Sequence, residues 1–183
     1  MDTDITDKEK ASIIINNILT RTSDRMFDST KEIDPDDIQT ILQAAMAAPT
    51  AVNRQPWQFV VVTNRQLLSQ LATALPYCHM ADQAGGAIVV CGDKSRFLEG
   101  EDAQLWVQDV SAATENILLA AHALGLGSVW TCIYPHEDRM TSVYGILQIP
   151  EDFVPFNVIP IGYVKMAHAP INKWNPAAVI YRS

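Results

Sequence analysis

Residues 21–25 place two guanidinium groups and two hydroxyl groups close together in the sequence. The segment reads Arg21-Thr22-Ser23-Asp24-Arg25. Guanidinium groups bind phosphate through paired hydrogen bonds, and hydroxyl groups bind a polyol chain. Because runs of this composition are also typical of solvated loops, the segment suggests a phosphate or polyol site without identifying one.

A second polar segment, residues 49–57, reads PTAVNRQPW. It places the side-chain amides of Asn53 and Gln55 close to Trp57. An amide both donates and accepts hydrogen bonds, which suits binding of a planar heterocycle. The alternative is a proline-rich loop in which Asn53 forms a turn. Residue types and spacing leave both interpretations open.

The sequence lacks the common motifs of nucleophilic, metal-dependent and nucleotide-binding enzymes. No serine lies in GxSxG, no GxGxxG follows a predicted strand, and GxxxxGK[ST] is absent. The three cysteines form no CxxC, and the four histidines show no ligand spacing. Asp109 and Glu115 are acids in the longest predicted helix, where packing or solvation explains them at least as well as acid–base catalysis. We therefore expect neither a nucleophile nor a metal site.

Composition argues against several classes of partner. The chain has 183 residues, 48% of them hydrophobic, and a net charge of −8. Without a basic block, we expect no nucleic acid or anionic membrane as partner. No apolar run approaches the ~18 residues of a membrane span, and residues 1–10 are too polar for a secretory signal. We expect one domain over residues 1–183, loosely ordered at about 1–10, and a cytoplasmic location because the cysteines form no disulfide framework.

Alternating helices and strands must position the two polar segments. Helices are predicted at about residues 8–20, 34–48, 65–74, 105–124 and 137–147. Strands are predicted at residues 57–62, 87–91, 128–133 and 158–164, and an extended segment follows from His168. Helix 105–124 is apolar around most of its surface, which indicates a central position or an oligomer interface.

The sequence resembles the FMN-dependent nitroreductase family, in particular its small members. The resemblance runs through RTSDRMF at 21–27, AAMAAPTAVNRQPWQFVVV at 44–62 and AIVVCGD at 87–93. It continues through residues 106–135, which end in GLGSVWTCIYP, and through IPIGYVK at 159–165. The motifs in 49–57 and 106–135 are together quite specific, whereas either one alone would only be suggestive.

The resemblance implies an α+β fold assembled as an intertwined homodimer. The expected architecture is a nitroreductase-like α/β sandwich with a mixed central sheet flanked by helices. Helix 105–124 would lie at the dimer interface, and residues 168–183 would form an extended C-terminal arm over the partner subunit. Two FMN molecules would lie at the interface, each in contact with both chains.

Matching motifs imply three groups of FMN-binding residues. The phosphate and ribityl chain would be held by Arg21, Thr22, Ser23, Arg25 and Lys173. The FMN of the other subunit would be reached by Pro49, Thr50, Ala51 and Asn53, while Gln55 would shape the site or support the loop. The flavin ring would face the backbone N–H groups of Trp130, Thr131, Cys132 and Ile133.

The implied function is that of an FMN-dependent NAD(P)H oxidoreductase. Hydride would pass from the nicotinamide to flavin N5, and then to a nitroaromatic, quinone or related small-molecule acceptor, in a ping-pong cycle. Because the cofactor carries this chemistry, no catalytic side chain is expected. The alternatives are a flavin-binding or redox-sensing module with little turnover, and a specialised flavin-fragmenting or dehalogenating relative.

Three residues depart from the family pattern. Thr22 stands where a second basic residue is frequent, and Thr50 stands where serine is usual. Cys132 stands where small members more often have glycine, so its side chain could crowd or modulate the flavin. We expect Cys132 to pack as a small hydrophobic residue and to have no redox role.

Overall fold

A five-stranded sheet lies between two layers of helices in the computed structural model, which describes residues 5–182. The strands are β1 (Trp57–Val62), β2 (Gly86–Asp93), β3 (Gly127–Ser128), β4 (Thr131–Cys132) and β5 (Phe153–Gly162). The α-helices are α1 (Asp7–Thr20), α2 (Pro35–Met46), α3 (Arg65–Ala74), α4 (Leu105–Ala123) and α5 (Glu137–Leu147). The strand order is β1-β2-β5-β3, and β4 also pairs with β5.

The central strand β2 explains why the predicted strands are continuously apolar. Ile88 and Val90 belong to a core formed with α2 and α4, whereas Val89 and Cys91 belong to a core formed with α3 and α5. Successive side chains of a strand point to opposite faces. A strand covered on both faces therefore needs an apolar residue at nearly every position, whatever the direction of its neighbours.

The predicted α+β sandwich is confirmed, but its sheet differs in one respect from the expectation. Every pairing between the described strands is antiparallel, where we expected a mixed sheet. The predicted strand 128–133 is also divided into the short strands β3 and β4. Apolar runs report burial on both faces and carry no information about strand direction, so the sequence could not correct this expectation.

The two ends of the described chain can be compared with the predicted N-terminal helix and C-terminal extended arm. Helix α1 begins at Asp7, close to the predicted start at about residue 8, and the Thr6 hydroxyl caps it by accepting from the Glu9 N–H at 3.3 Å. Met1–Asp4 and Ser183 lie outside the described residues. From His168 to Arg182 the chain is exposed, with a single short 3-10 turn at Pro176–Ala178.

Helix α1 is packed against α4 yet contains no buried residue. Asn17 Nδ2 donates to Leu119 O at 3.0 Å, while five large apolar side chains remain 48–68% exposed: Ile13, Ile14, Ile15, Ile18 and Leu19. Helix α4, in contrast, buries eight residues within the chain. A large part of the exposed apolar surface therefore lies on α1 and on the arm residues Ile171 and Trp174; we call this part the α1–arm surface.

Candidate functional site

Strands β3 and β4 form one interrupted edge strand, since both pair with β5 in the same register. Within it, the N–H groups of Val129 and Ile133 donate to carbonyls of the β5 segment, at 3.3 and 3.1 Å. Alternate residues of an antiparallel strand direct their backbone groups to opposite sides. Ser128, Trp130 and Cys132 therefore direct their N–H and C=O groups away from β5, to the open edge.

Segment 21–25 is attached to this edge through Asp24. The Asp24 N–H donates to the outward carbonyl of Ser128 at 3.0 Å. Its carboxylate, 6% exposed, accepts from Thr22 Oγ1 at 3.1 Å. Gly127 permits this approach, because a Cβ there would lie 2.8 Å from Asp24 Cβ. The hydroxyl proton of Thr22 is thus directed to Asp24, and sequence reasoning missed Asp24 because an acid between two arginines resembles a solvated loop.

A cleft of about 1130 Å³ lies between the end of α1, segment 21–25 and the C-terminal arm. It brings together five predicted phosphate-site residues: Arg21, Thr22, Ser23, Arg25 and Lys173. No Asp or Glu is among the residues that line it, although the chain has a net charge of −8. His168, Asn172 and Trp174 also line the cleft; sequence reasoning missed them because nothing local indicates where an extended tail will lie.

Arg21 is less exposed than the other two cations of the cleft, Arg25 and Lys173. Its side chain is 17% exposed, Nη1 donates to Thr22 O at 2.9 Å, and Nε lies 3.7 Å from Glu115 Oε1. A guanidinium has five N–H donors in a planar fork, so these contacts orient Arg21 while other donors of the fork can bind an anion. Arg25 is exposed, and its Nη1 donates to Ser23 O at 3.1 Å.

The loop of residues 49–56, between α2 and β1, has a strained backbone. Val52, Asn53 and Gln55 have positive φ angles of 43°, 55° and 51°. This left-handed conformation costs roughly 1–2 kcal/mol for most residues other than glycine; asparagine adopts it more readily, whereas it is unusual for a β-branched residue such as Val52. Gln55 supports the loop: its N–H donates to Thr50 Oγ1 at 3.1 Å and its Nε2 donates to Asn53 Oδ1 at 3.0 Å.

The structure does not bring this loop into the cleft of its own chain. None of the predicted residues Pro49, Thr50, Ala51, Asn53 and Gln55 lines the cleft. The N–H of Ala51 donates to Asp109 Oδ1 at 2.9 Å, so it is directed into the protein. That these residues reach the cofactor of a second subunit stays a prediction.

The four residues predicted along the flavin ring differ in the side to which their backbone N–H groups point. Thr131 and Ile133 bury their side chains, and the N–H of Ile133 donates to Phe156 O. The expectation that this N–H faces a flavin is therefore wrong. The register also directs the N–H of Thr131 to β5, so this group does not face a flavin either. Trp130 and Cys132 direct their backbone outward, and Cys132 O accepts from Arg139 Nη1 at 2.9 Å.

The three cysteines are free and differ in environment. Burial raises the pKa of the Cys78 thiol to about 11 and that of Cys91 to about 12. The Thr131 hydroxyl, 3.8 Å from Cys78 Sγ, lowers the pKa of that thiol by a smaller amount. Cys132 is exposed on the edge strand, so the expectation that it packs as a small hydrophobic residue is wrong within its own chain.

We expect one thiol per chain of the FMN-free protein to react rapidly with Ellman's reagent at pH 8. Only the thiolate is nucleophilic, and thiols with a pKa of about 11 and about 12 are almost fully protonated at that pH. All three should react in guanidinium chloride, and the Cys132→Ser variant should lack the fast phase. A fast phase that persists in Cys132→Ser would contradict the assignment.

Residues 5–182 contain neither a metal-binding cluster nor a membrane-spanning helix. No group of three His, Cys, Asp or Glu side chains in this part of the chain is arranged to hold a metal ion. None of its helices has both the length and the apolar content needed to cross a lipid bilayer.

Comparison with known proteins adds independent findings. The model of the nitroreductase family matches residues 18–78 and 72–163. A protein of Archaeoglobus fulgidus named "Putative NADH dehydrogenase/NAD(P)H nitroreductase" is 49% identical over 148 residues, which span 81% of this chain and 83% of that protein.

Solved structures extend the similarity to the whole fold. A protein of Parabacteroides distasonis with that same name superposes with a TM-score of 0.86 at 38% identity, covering 93% of this chain and 98% of the other. An FMN-dependent nitroreductase of Clostridium difficile R20291 superposes with a TM-score of 0.83 at 25% identity, covering 92% and 99%.

Proposed function

The chain belongs to the nitroreductase family, and we propose that it is an FMN-dependent NAD(P)H oxidoreductase. In this proposal it passes hydride from a nicotinamide to a nitroaromatic, quinone or related acceptor in a ping-pong cycle. The observation that carries the proposal is the cleft, which gathers Arg21, Arg25 and Lys173 without a carboxylate among its lining residues. Cations concentrated in this way in an acidic chain favour binding of a phosphorylated ligand.

The donors of the cleft and of the adjoining edge strand fit FMN in a defined order. Arg21, Arg25 and Lys173 would hold the phosphate, and the Ser23 hydroxyl would bind the ribityl chain. The edge strand leads away from this end, because Asp24 is bonded to Ser128 at its beginning. The outward N–H groups of Trp130 and Cys132 would then face the polar edge of the flavin ring.

The chemistry that FMN supplies when bound is acceptance of hydride from NAD(P)H and its transfer to the acceptor. The residues of this chain bind and orient the cofactor. Backbone N–H groups fixed along a strand stabilise negative charge without having to reorganise. The Arg139 guanidinium, bonded to Cys132 O, adds positive charge next to the same backbone.

A homodimer is part of the same proposal. The α1–arm surface exposes large apolar side chains that a single chain leaves uncovered. A second copy that covers it would also bring Pro49, Thr50, Ala51 and Asn53 of one chain toward the cleft of the other. The proposed compartment is the cytoplasm, because the three free thiols suit a reducing environment.

A visible absorption spectrum of the purified protein, followed by anaerobic titration with NADH and with NADPH, tests the function. We expect the bands of bound flavin, bleaching by at least one nicotinamide, and steady turnover with a quinone or a nitroaromatic compound. Bleaching without turnover would instead support a redox-sensing module. Failure of the apo-protein to bind added FMN would refute the proposal.

Replacement of Cys132 by glycine is expected to change the rate of flavin reduction by no more than about tenfold, or roughly 1.4 kcal/mol in the barrier. The substitution keeps the outward backbone N–H and removes only an exposed side chain. Cys132→Ser should behave similarly, and stopped-flow reduction of the three proteins makes the comparison. Loss of several orders of magnitude in both variants, with FMN still bound, would identify Cys132 as a working redox residue.

A further inference from the structure

The strained loop 49–56 is capped by a residue from a distant helix. A short 3-10 turn begins at Ala51, and the side chain of Thr50, the residue before it, makes no capping hydrogen bond. The first N–H groups of a helical turn have no partner within the turn. The N–H of Ala51 finds its partner in Asp109 Oδ1 of α4, at 2.9 Å. The cap is therefore supplied through the tertiary structure.

Asp109 occupies a position where a carboxylate needs a specific reason. It is 7% exposed, between the buried residues Trp106 and Val110 of α4. None of the ion pairs formed within residues 5–182 includes it. Burial of a carboxylate is unfavourable unless hydrogen bonds compensate. Its hydrogen bond from the N–H of Ala51 supplies such compensation, since that N–H has no partner within its own turn.

The loop needs a contact with the rest of the protein because its strained backbone conformation is intrinsically unfavourable. Val52 adopts a left-handed conformation although it is β-branched, and its side chain is 78% exposed, so packing does not hold it. The hydrogen bonds from Gln55 to Thr50 and Asn53 lie within the loop and move with it. The bond from Ala51 to Asp109 joins the start of the loop to the core.

We propose that Asp109 is the positioning residue of loop 49–56. It fixes the first turn of the loop, and thereby holds Val52, Asn53 and Gln55 in the left-handed conformation that presents Thr50 and Asn53 to the flavin. The part of this inference that concerns flavin rests on the proposed function. The effect of Asp109 on loop order does not, so the two can be tested separately.

Tryptic cleavage after Arg54 measures loop order directly, because Arg54 is exposed within the loop. We expect Asp109→Ala to raise the rate of this cleavage at least tenfold in the full-length, FMN-free protein. Asp109→Asn should stay within about threefold of the wild type, since an amide oxygen can accept the same hydrogen bond. Ile117→Ala is the matched control: Ile117 is fully buried on α4, about 12 Å further along the helix.

The control separates positioning of the loop from general destabilisation of α4. Ile117→Ala should lower the melting temperature without a selective increase of cleavage after Arg54. If Asp109→Ala is cleaved there no faster than Ile117→Ala, the proposal is wrong. Recovery of slow cleavage in Asp109→Asn supports a hydrogen-bonding role, whereas equal cleavage of the Asn and Ala variants contradicts it.

Ala51→Pro removes the donor from the loop side and leaves α4 unchanged. Thr50 has φ −138° and ψ 154°, a conformation compatible with a following proline, and proline is favoured at the first position of a helical turn. We expect Ala51→Pro and Asp109→Ala each to weaken FMN binding about tenfold, and the double variant to lose no more than either alone. Additive losses would overturn the proposal.

The two proposals fail in different ways. If the wild type binds no FMN, the proposed function is refuted, while cleavage after Arg54 still decides the role of Asp109. A different outcome is that the wild type binds FMN and oxidises NAD(P)H while Asp109→Ala and Ala51→Pro change neither cleavage after Arg54 nor FMN affinity. In that case only the positioning role of Asp109 is refuted. If Asp109→Ala does not fold, Ala51→Pro removes the same hydrogen bond, and its cleavage after Arg54 and its FMN affinity decide the proposal.

Discussion

Replacement of Arg21 by alanine is expected to weaken FMN binding roughly ten- to a hundredfold while the fold persists. Arg21 is largely shielded from solvent and is held in place by Thr22 O and Glu115. A charge-assisted hydrogen bond of this kind contributes on the order of 1.5–3 kcal/mol, which corresponds to that range of affinity. Titration of the apo-protein with FMN gives the dissociation constant, and circular dichroism confirms the fold.

Two further variants make the Arg21 result specific. Lys94→Ala removes one positive charge outside the cleft and should leave FMN affinity unchanged. Arg21→Lys keeps the charge but loses the planar fork, so its affinity should lie between those of Arg21→Ala and the wild type. Equal affinity of Arg21→Ala and Lys94→Ala would exclude Arg21 from the phosphate site.

Substitution of both Ile14 and Ile18 by aspartate is expected to convert the proposed homodimer to a monomer of 20.2 kDa. Both side chains lie on α1, which buries no residue within its own chain. A helix of 14 residues derives most of its stability from packing of an apolar face, and a second chain would supply that packing. Two carboxylates buried in the interface would make association unfavourable. Light scattering at micromolar concentration measures the mass, which alone decides the outcome because Ile18 also lines the cleft.

Tyr77→Asp is the matched control for the α1 substitutions. Tyr77 is an exposed aromatic residue outside the α1–arm surface, and its φ of 63° is a conformation that aspartate tolerates. This variant should keep the dimeric mass. A monomeric wild type with FMN bound would refute the homodimer, and a dimeric Ile14→Asp/Ile18→Asp variant would place its interface elsewhere.

Local signals in the sequence were sufficient for most of the secondary structure. Asp34, at the predicted start of the second helix, is its N-cap: the carboxylate accepts from the Asp36 N–H at 2.9 Å, and Pro35 is the first residue of α2. Strand β1 and helices α3 and α5 begin and end at the predicted residues. These elements depend on capping, breaking residues and apolar periodicity, all of which act within a few positions of the chain.

The start of β5 shows where local signals mislead. We predicted a strand at 158–164, whereas β5 begins at Phe153 and contains Pro155. Proline lacks the N–H of a central strand and is found mainly at edges or bulges. Pro155 pairs with Cys91 where the register between β2 and β5 shifts, so an irregularity in the neighbouring strand accommodates it. Such an irregularity is a property of the pair of strands, and one strand's sequence does not reveal it.

The sequence by itself determined most of the elements, the chemical character of the binding segments and, through its motifs, the family. Tertiary structure decided which polar groups meet. Lys173 lines the same cleft as Arg21, and Asp109 caps a turn 58 residues earlier. It also decided that Trp130 and Cys132, and not Ile133, present their backbone at the open edge, because the register with β5 fixes the side to which each N–H points. Residue type and local spacing fix backbone conformation and burial, whereas contacts between distant residues arise only when the packed core sets the positions of its elements.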